Sequence, residues 1–320
     1  MSETFKMNAA DAGCAANAQP AADAGCEANT HSAADAGAQP VSGLCAEHAW
    51  REGIRPGGVV SRMIDATEEI WENCHRHPFV QGIADGSLDH DKFCFYMLQD
   101  YVYLFDYARV FAIGVAKAKD PEVMRIFANY VQQIMSGEMD IHRGYMKRLG
   151  ISPEDAERTV PSLDNLSYTS YMIRIAYDDG AAEAAAAILS CALSYEAIAE
   201  RMVAEHPGTP ARPGIDAQPG IDAQSGIDAR PGAENGDGHP AAARPDAAAR
   251  PGAADHPFYG EWVQGYASPG YHAANLELID LTERLAEGLD EARLQHLIDV
   301  FVNCSRYELL FWDMAWEMRS

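Results

Sequence analysis

Basic residues are scarce in this sequence: 24 Lys plus Arg stand against 48 Asp plus Glu, a formal net charge of −24 at pH 7. Such an imbalance repels phosphate backbones and anionic lipid, which excludes nucleic acid and membrane surfaces as partners. Long apolar runs are missing too. No uninterrupted stretch of roughly eighteen apolar residues occurs, and the opening MSETFKMNAADAG lacks the apolar segment of a secretory signal, so a cytoplasmic location is expected. Cysteine is limited to seven residues, Cys14, Cys26, Cys45, Cys74, Cys94, Cys191 and Cys304. An odd number without a C-x-x-C pair argues against a disulfide framework and against a Cys-rich zinc site. β-Branched alternation hardly appears either, and without a strand there is no place for the Gly-rich phosphate loop that follows one.

What is present divides sharply. Apolar residues make up 48% of the 320, enough for a sizeable core. Two stretches contribute little to it. Residues 1–52 read as a disordered low-complexity tail whose first part repeats AADAG, with Asp11, Asp23 and Asp35 twelve apart. At about 207–256 a second tract holds about half of the seventeen prolines and a six-residue repeat, PGIDAQ, PGIDAQ, SGIDAR, starting at Pro213, Pro219 and Ser225. Neither composition buries enough apolar surface to offset its ordering entropy. The remainder, 53–320 interrupted by that insertion, is a single domain with helical periodicity. Helices are predicted over 58–74, 91–118, 121–148, 164–178, 181–204, 258–267, 272–287 and 290–317, an all-α bundle.

Polar residues inside these apolar helices need a reason to be there. Asp100 sits among aromatics with Tyr103 at i+3 and Tyr107 at i+7, either a structural carboxylate satisfied by tyrosine hydroxyls or part of a site. Cys191 lies on an Ala-rich helix with Tyr195 one turn on; it is either core filler or a nucleophile. Glu308 lies near Phe311, Trp312 and Trp316, where desolvation raises a carboxyl pKa toward neutrality, although a satisfied buried Glu has the same pattern. A two-metal helical bundle would show a pair of E-x-x-H motifs. Such a pair does not occur; Glu138 and His142 stand at i, i+4 and read as an intrahelical hydrogen bond that orients the histidine.

Six motifs occur in one order: HPFVQGIADGSLDHDKFCFYMLQDYVYL at 77–104, GEMDIH at 137–142, SYTSYM at 167–172, SCALSYEAI at 190–198, FYGEWVQGYAS at 258–268 and YELLFWDMAW at 307–316. Together they span essentially the whole helical part, and in them the chain resembles the TenA family, also called thiaminase II. The resemblance implies a haem-oxygenase-like helical bundle, a homotetramer, no metal and no cofactor. It implies hydrolysis of 4-amino-5-aminomethyl-2-methylpyrimidine to the hydroxymethyl compound in thiamin salvage, with thiamin cleavage as a related activity. Carried over by motif, the nucleophilic cysteine is Cys191 with its companion Tyr195, and the catalytic glutamate is Glu308. The substrate-binding carboxylate is Asp100 with Tyr103, joined by Tyr168 and Tyr266. Three positions depart from the family pattern: Ser190 replaces a usual proline, Leu193 a usual tryptophan, and Ala197 a common glutamate, with Glu196 beside it.

Two other readings stand beside the enzyme. A haem- or metal-binding redox protein of the same fold would need ligands, and the spacing offers only the Glu138/His142 pair. A non-catalytic aminopyrimidine binder would keep Asp100 and an aromatic slot but have no use for Cys191 together with Glu308. What would lower the pKa of Cys191 is not apparent, since no Lys, Arg or His is near it in sequence.

Overall fold

The computed structural model describes residues 50–208 and 251–320; the repeats of the N-terminal tail and of the insertion lie outside them. Twelve α-helices and no strand occur among the described residues. In chain order they are α1 (Val59–Asp65), α2 (Glu68–Arg76), α3 (Pro78–Asp85), α4 (His90–Lys117), α5 (Pro121–Gln133), α6 (Met139–Arg148), α7 (Pro153–Arg158), α8 (Leu163–Asp178), α9 (Ala181–Glu205), α10 (Gly260–Tyr266), α11 (Pro269–Ala286) and α12 (Glu291–Glu317). The all-α expectation holds.

Helix starts follow from local chemistry. Asp89, Asp120, Ser162, Ser268 and Asp290 each accept a backbone N–H of the first turn with a side-chain oxygen, contributions of about 1 kcal/mol apiece. Proline opens α3, α5, α7 and α11, where its missing N–H leaves nothing unsatisfied. The short α3 and α7 escaped the periodicity, which needs more than two turns to show.

Two predicted helices differ in detail. The one over 58–74 divides at Ala66 and Thr67, where the Thr67 hydroxyl turns back onto the carbonyls of Met63 and Ile64 and closes α1. The one over 121–148 is continuous but contains a π-helical turn, Ile134–Glu138, between α5 and α6.

At the centre α4, α8, α9 and α12 all touch one another, with α10 and α11 against α9, α5 and α6 against α4, and α1 to α3 against α12. The aromatic α4 lies in the middle as its composition predicts, with Phe93, Tyr96, Met97, Tyr103, Leu104 and Phe111 buried. Helix α9 is long and apolar enough to cross a membrane, yet 78% of its apolar window is buried within this fold. Its alanines Ala184 to Ala187 are fully enclosed, and their small side chains let neighbouring helices come close. Glu183, just before that alanine run, is buried and accepts from Arg293 Nη2 at 2.9 Å.

The domain edges move slightly from their predicted places. Trp50, assigned to the tail, packs on Trp71 with ring centroids 5.5 Å apart and donates its backbone N–H to Glu200. Within the segment assigned to the insertion, Ala253–Asp255 forms a 3-10 turn with Ala253 buried, and Ala253 N–H donates to His206 O at 2.9 Å. That bond brings the two ends of the insertion together. Gly208, at φ +76°, makes the approach possible: a Cβ there would stand 2.7 Å from Gly252 N.

Candidate active site

A cavity of about 480 Å³ opens between α4, α5, the π turn, α6, α9, α10 and α11. At its inner end a small recess is lined by Asp100, Tyr103, Tyr168, Cys191, Tyr195, Glu308 and Phe311. Asp100, Tyr103, Cys191 and Tyr195 border both spaces, so recess and cavity adjoin. Tyr266 lines the outer part and packs on Tyr195 at 4.8 Å. The seven residues singled out from the sequence thus meet at one place, brought there by five helices.

Each is held by identifiable packing. Glu308, on the buried face of α12, is 2% exposed and accepts a 2.6 Å hydrogen bond from the Tyr168 hydroxyl. Burial pushes its carboxyl up to about 7, against hydrogen bonding from Tyr168 and Cys191 that favours the ionised form. Cys191 is pushed well above the usual thiol range, first by burial and then by the charge of Glu308, while the Tyr103 hydroxyl acts in the other direction. The sulfur is therefore held as a thiol, with the Glu308 carboxyl within its hydrogen-bonding reach. The carboxyl that adjoins this thiol comes from α12, distant from it in sequence.

Asp100 corrects one expectation. Its partner is not a tyrosine: Tyr103 donates to Met172 Sδ at 3.7 Å and Tyr107 to Ile188 O at 3.2 Å. Instead Asp100 Oδ2 meets His142 Nε2 at 2.6 Å, both residues being buried. Burial alone would pull the imidazole pKa down, but the hydrogen bond and charge of Asp100 outweigh it and raise it. His142 Nδ1–H donates to the backbone carbonyl of Glu138 at 3.1 Å. So the i, i+4 pair does orient the histidine, through the Glu138 main chain rather than its side chain. The Glu138 carboxyl is left on the cavity wall, and burial raises it to about 7, with His142 opposing and Asp100 adding to the rise. His142 and Glu138 are site residues that motif reading set aside; their signal was a polar i, i+4 pair on an otherwise amphipathic helix.

The three departures from the family pattern also find places. Ser190 Oγ pairs with Ser305 Oγ at 2.9 Å, and Ser305 accepts from Trp71 Nε1 at 3.0 Å, a polar chain beside Cys191 in sequence. Leu193 is fully buried in the core. Ala197 borders a second cavity of about 200 Å³ on another face of α9, walled by Trp50, Trp71 and Arg201. Glu196 faces α11, where it accepts from His272 and from Asn275, both at 2.6 Å.

Metal ligation has few candidates among the described residues. Glu196, Glu200 and His272 bring ligand atoms within 4.8 Å of one another. Their atoms are already engaged, with one another, with Asn275 and with the Trp50 N–H, so the group reads as a polar cross-link between α9 and α11. A single E-x-x-H does exist, at Glu72 and His75, and it too is occupied: Arg201 donates to Glu72 at 2.6 Å, and His75 Nε2 bonds Glu205 at 3.0 Å.

Known proteins share this arrangement of helices and sequence. An aminopyrimidine aminohydrolase of Helicobacter pylori is 36% identical over 250 residues, covering 78% of this chain and 94% of that protein. One of Halalkalibacterium halodurans is 37% identical over 257 residues, covering 80% and 95%. The solved structure of a TenA homologue protein from P. horikoshii OT3 superposes with a TM-score of 0.60 at 25% identity, covering 81% of this chain and 99% of that one. With residues 64–318 matching its family description as well, the chain belongs to the TENA/THI-4/PQQC family.

Proposed function

We propose that this protein is an aminopyrimidine aminohydrolase of thiamin salvage, exchanging the amine of 4-amino-5-aminomethyl-2-methylpyrimidine for hydroxyl by covalent catalysis through Cys191. The observation that carries the reading is the meeting of Cys191, Glu308, Asp100 and three tyrosines around one recess that adjoins a cavity. The names and the coverage of the relatives support it from a separate direction.

Direct displacement at the exocyclic methylene of an electron-rich ring is slow, and covalent addition divides it into easier steps. Glu308 takes the Cys191 proton as the sulfur adds to the ring carbon beside the one bearing the aminomethyl group. Asp100, fixed by His142, hydrogen-bonds the amidine edge of the ring and favours its protonated form. Electrons from the adduct expel the substituent, which as an ammonium leaves directly as ammonia, while the proton held by Glu308 passes to the ring nitrogen. Water then adds to the exposed methylene, giving a proton to Glu308, and loss of the thiolate restores the aromatic ring. The sum is one water in, one ammonia out, with no change of oxidation state. Tyr103, Tyr168, Tyr195 and Tyr266 supply the faces that hold a flat ring.

The working form proposed is a cytoplasmic homotetramer. Support for association comes from α8, where Leu163, Leu166 and Tyr177 stand on one face, 77%, 48% and 67% exposed, beside the equally exposed Val160. Ammonia release from the purified protein tests the activity. Light scattering on the same protein, and on Leu163→Glu, tests the assembly: a tetramer disrupted by the substitution agrees with the reading, and a monomer overturns it.

A further inference from the structure

The chemistry proposed above leaves one ionisable group on the cavity wall without a task. Glu138 faces the same space as Asp100, His142 and Cys191, and its carboxyl accepts no hydrogen bond from the described residues. Its neighbours are committed elsewhere: His142 gives one N–H to Asp100 and the other to the Glu138 main chain.

Backbone geometry puts it there. The π turn Ile134–Glu138 lies between two α-helical stretches and ends on this residue. The extra residue of such a turn shifts the register of all that follows, and these turns are frequent at functional sites. Around the carboxyl stand aromatic rings: Tyr107, Tyr266 and Tyr271 all line the cavity, and the Glu138 charge is felt at each. A carboxylate among tyrosine faces is a chemical environment for a cation. The cavity as a whole falls within the size range that encloses a drug-sized ligand, which leaves space outside the recess for more than one six-membered ring.

We infer that Glu138, with Tyr107, Tyr266 and Tyr271, forms a subsite for the cationic substituent of the substrate, the part that leaves. A primary alkylamine is an ammonium at neutral pH, whereas the hydroxymethyl product is neutral, so the same carboxylate that favours the substrate has no hold on the product. This assignment rests on the proposed activity, and Glu138 acts in it as a specificity residue; proton transfer stays with Glu308.

The test uses calorimetry in a Cys191→Ser background, so that ligand is not consumed, with the aminomethyl and the hydroxymethyl pyrimidine titrated in parallel. Adding Glu138→Gln is expected to weaken the aminomethyl ligand at least tenfold and to change the hydroxymethyl ligand by less than threefold. Equal losses for both ligands would mean that Glu138 only supports the fold of the cavity, and no loss for either would remove it from recognition; both results overturn the inference. Ammonia release by the unsubstituted protein keeps the two readings apart. If it is absent while charge-selective binding through Glu138 persists, the hydrolase reading fails and the subsite stands. If neither pyrimidine binds, both fall.

Discussion

Two carboxyls, Glu308 in the recess and Glu138 on the wall of the adjoining cavity, are both raised to about 7 by burial but are held in different ways. Glu308 is built into its wall, with Tyr168 donating to one oxygen at 2.6 Å and the Cys191 thiol beside it. Glu138 is raised by burial as well, but the described protein gives its side chain no donor. A partnered group in a fixed direction suits proton transfer, which requires a short and reproducible path. A bare one suits a ligand that arrives with its own charge, because its desolvation is compensated only on binding. Similar titration therefore does not imply similar work, and the donors around each oxygen decide between them.

Substitution at the two positions separates these roles most strongly. Glu308→Gln keeps size and one acceptor but cannot exchange a proton, so turnover is expected to fall roughly 10²- to 10⁴-fold with near-normal calorimetric affinity for the pyrimidine. Cys191→Ser should lose at least as much while the circular dichroism stays unchanged, because a serine hydroxyl is far less nucleophilic at neutral pH. Retention of more than about a tenth of the rate would refute covalent catalysis through Cys191. Equal kcat losses in Glu308→Gln and Glu138→Gln would make the two carboxyls one kind of group and end the distinction.

The Asp100–His142 pair gives the next largest effect. Replacing His142 by Asn leaves a buried carboxylate without its ion partner, and truncating one member of such a pair typically costs 2–5 kcal/mol, or about thirtyfold and more in affinity. The loss should appear for the hydroxymethyl pyrimidine as well as the aminomethyl one, since Asp100 reads the ring and not the leaving group. A loss confined to the amine would instead place His142 in the Glu138 subsite.

Stability against pH sharpens the contrast without any ligand. Both carboxyls have folded pKa values raised from about 4.5 to about 7. The folded state is therefore fully favoured below about pH 4.5 and loses stability as pH rises through 7, by at most about 1.4 kcal/mol per pH unit for each group. Thermal melts of the ligand-free protein should show a lower Tm at pH 8 than at pH 6, and Glu138→Gln should reduce that drop. An unchanged pH slope in this variant would mean that Glu138 is ionised in the folded state at neutral pH.

The smallest expected effect is that of the insertion. The bond between Ala253 and His206 already joins its ends, so replacing 209–250 by a two-residue link should leave ammonia release unaltered. Loop-closure entropy predicts a gain on the order of 1 to 2 kcal/mol in urea denaturation. A fall in rate would assign the tract a part in the site.

Much of this was legible in the chain. The composition of 1–52 and 207–256 set those tracts apart, and 3.6-residue periodicity marked the long helices, because both are properties of neighbouring residues. Sequence motifs also named Cys191, Glu308, Asp100 and the tyrosines, residues whose types are unusual in an apolar stripe. Periodicity does not reveal breaks that conserve the apolar face. The Thr67 hydroxyl closing α1 and the π turn before α6 are changes of that kind.

Sequence by itself determined the secondary structure class, the face each long helix buries, and the residue types gathered at the site. Tertiary structure alone decided that Glu308 lies beside Cys191 from 117 positions away and that Asp100 pairs with His142, and it left Glu138 facing the cavity without a partner. The physical reason is that apolar burial is non-directional. It tells each helix which side to turn inward but not which neighbour to meet, and the pKa of a buried group depends on the few atoms that the meeting places within hydrogen-bond reach.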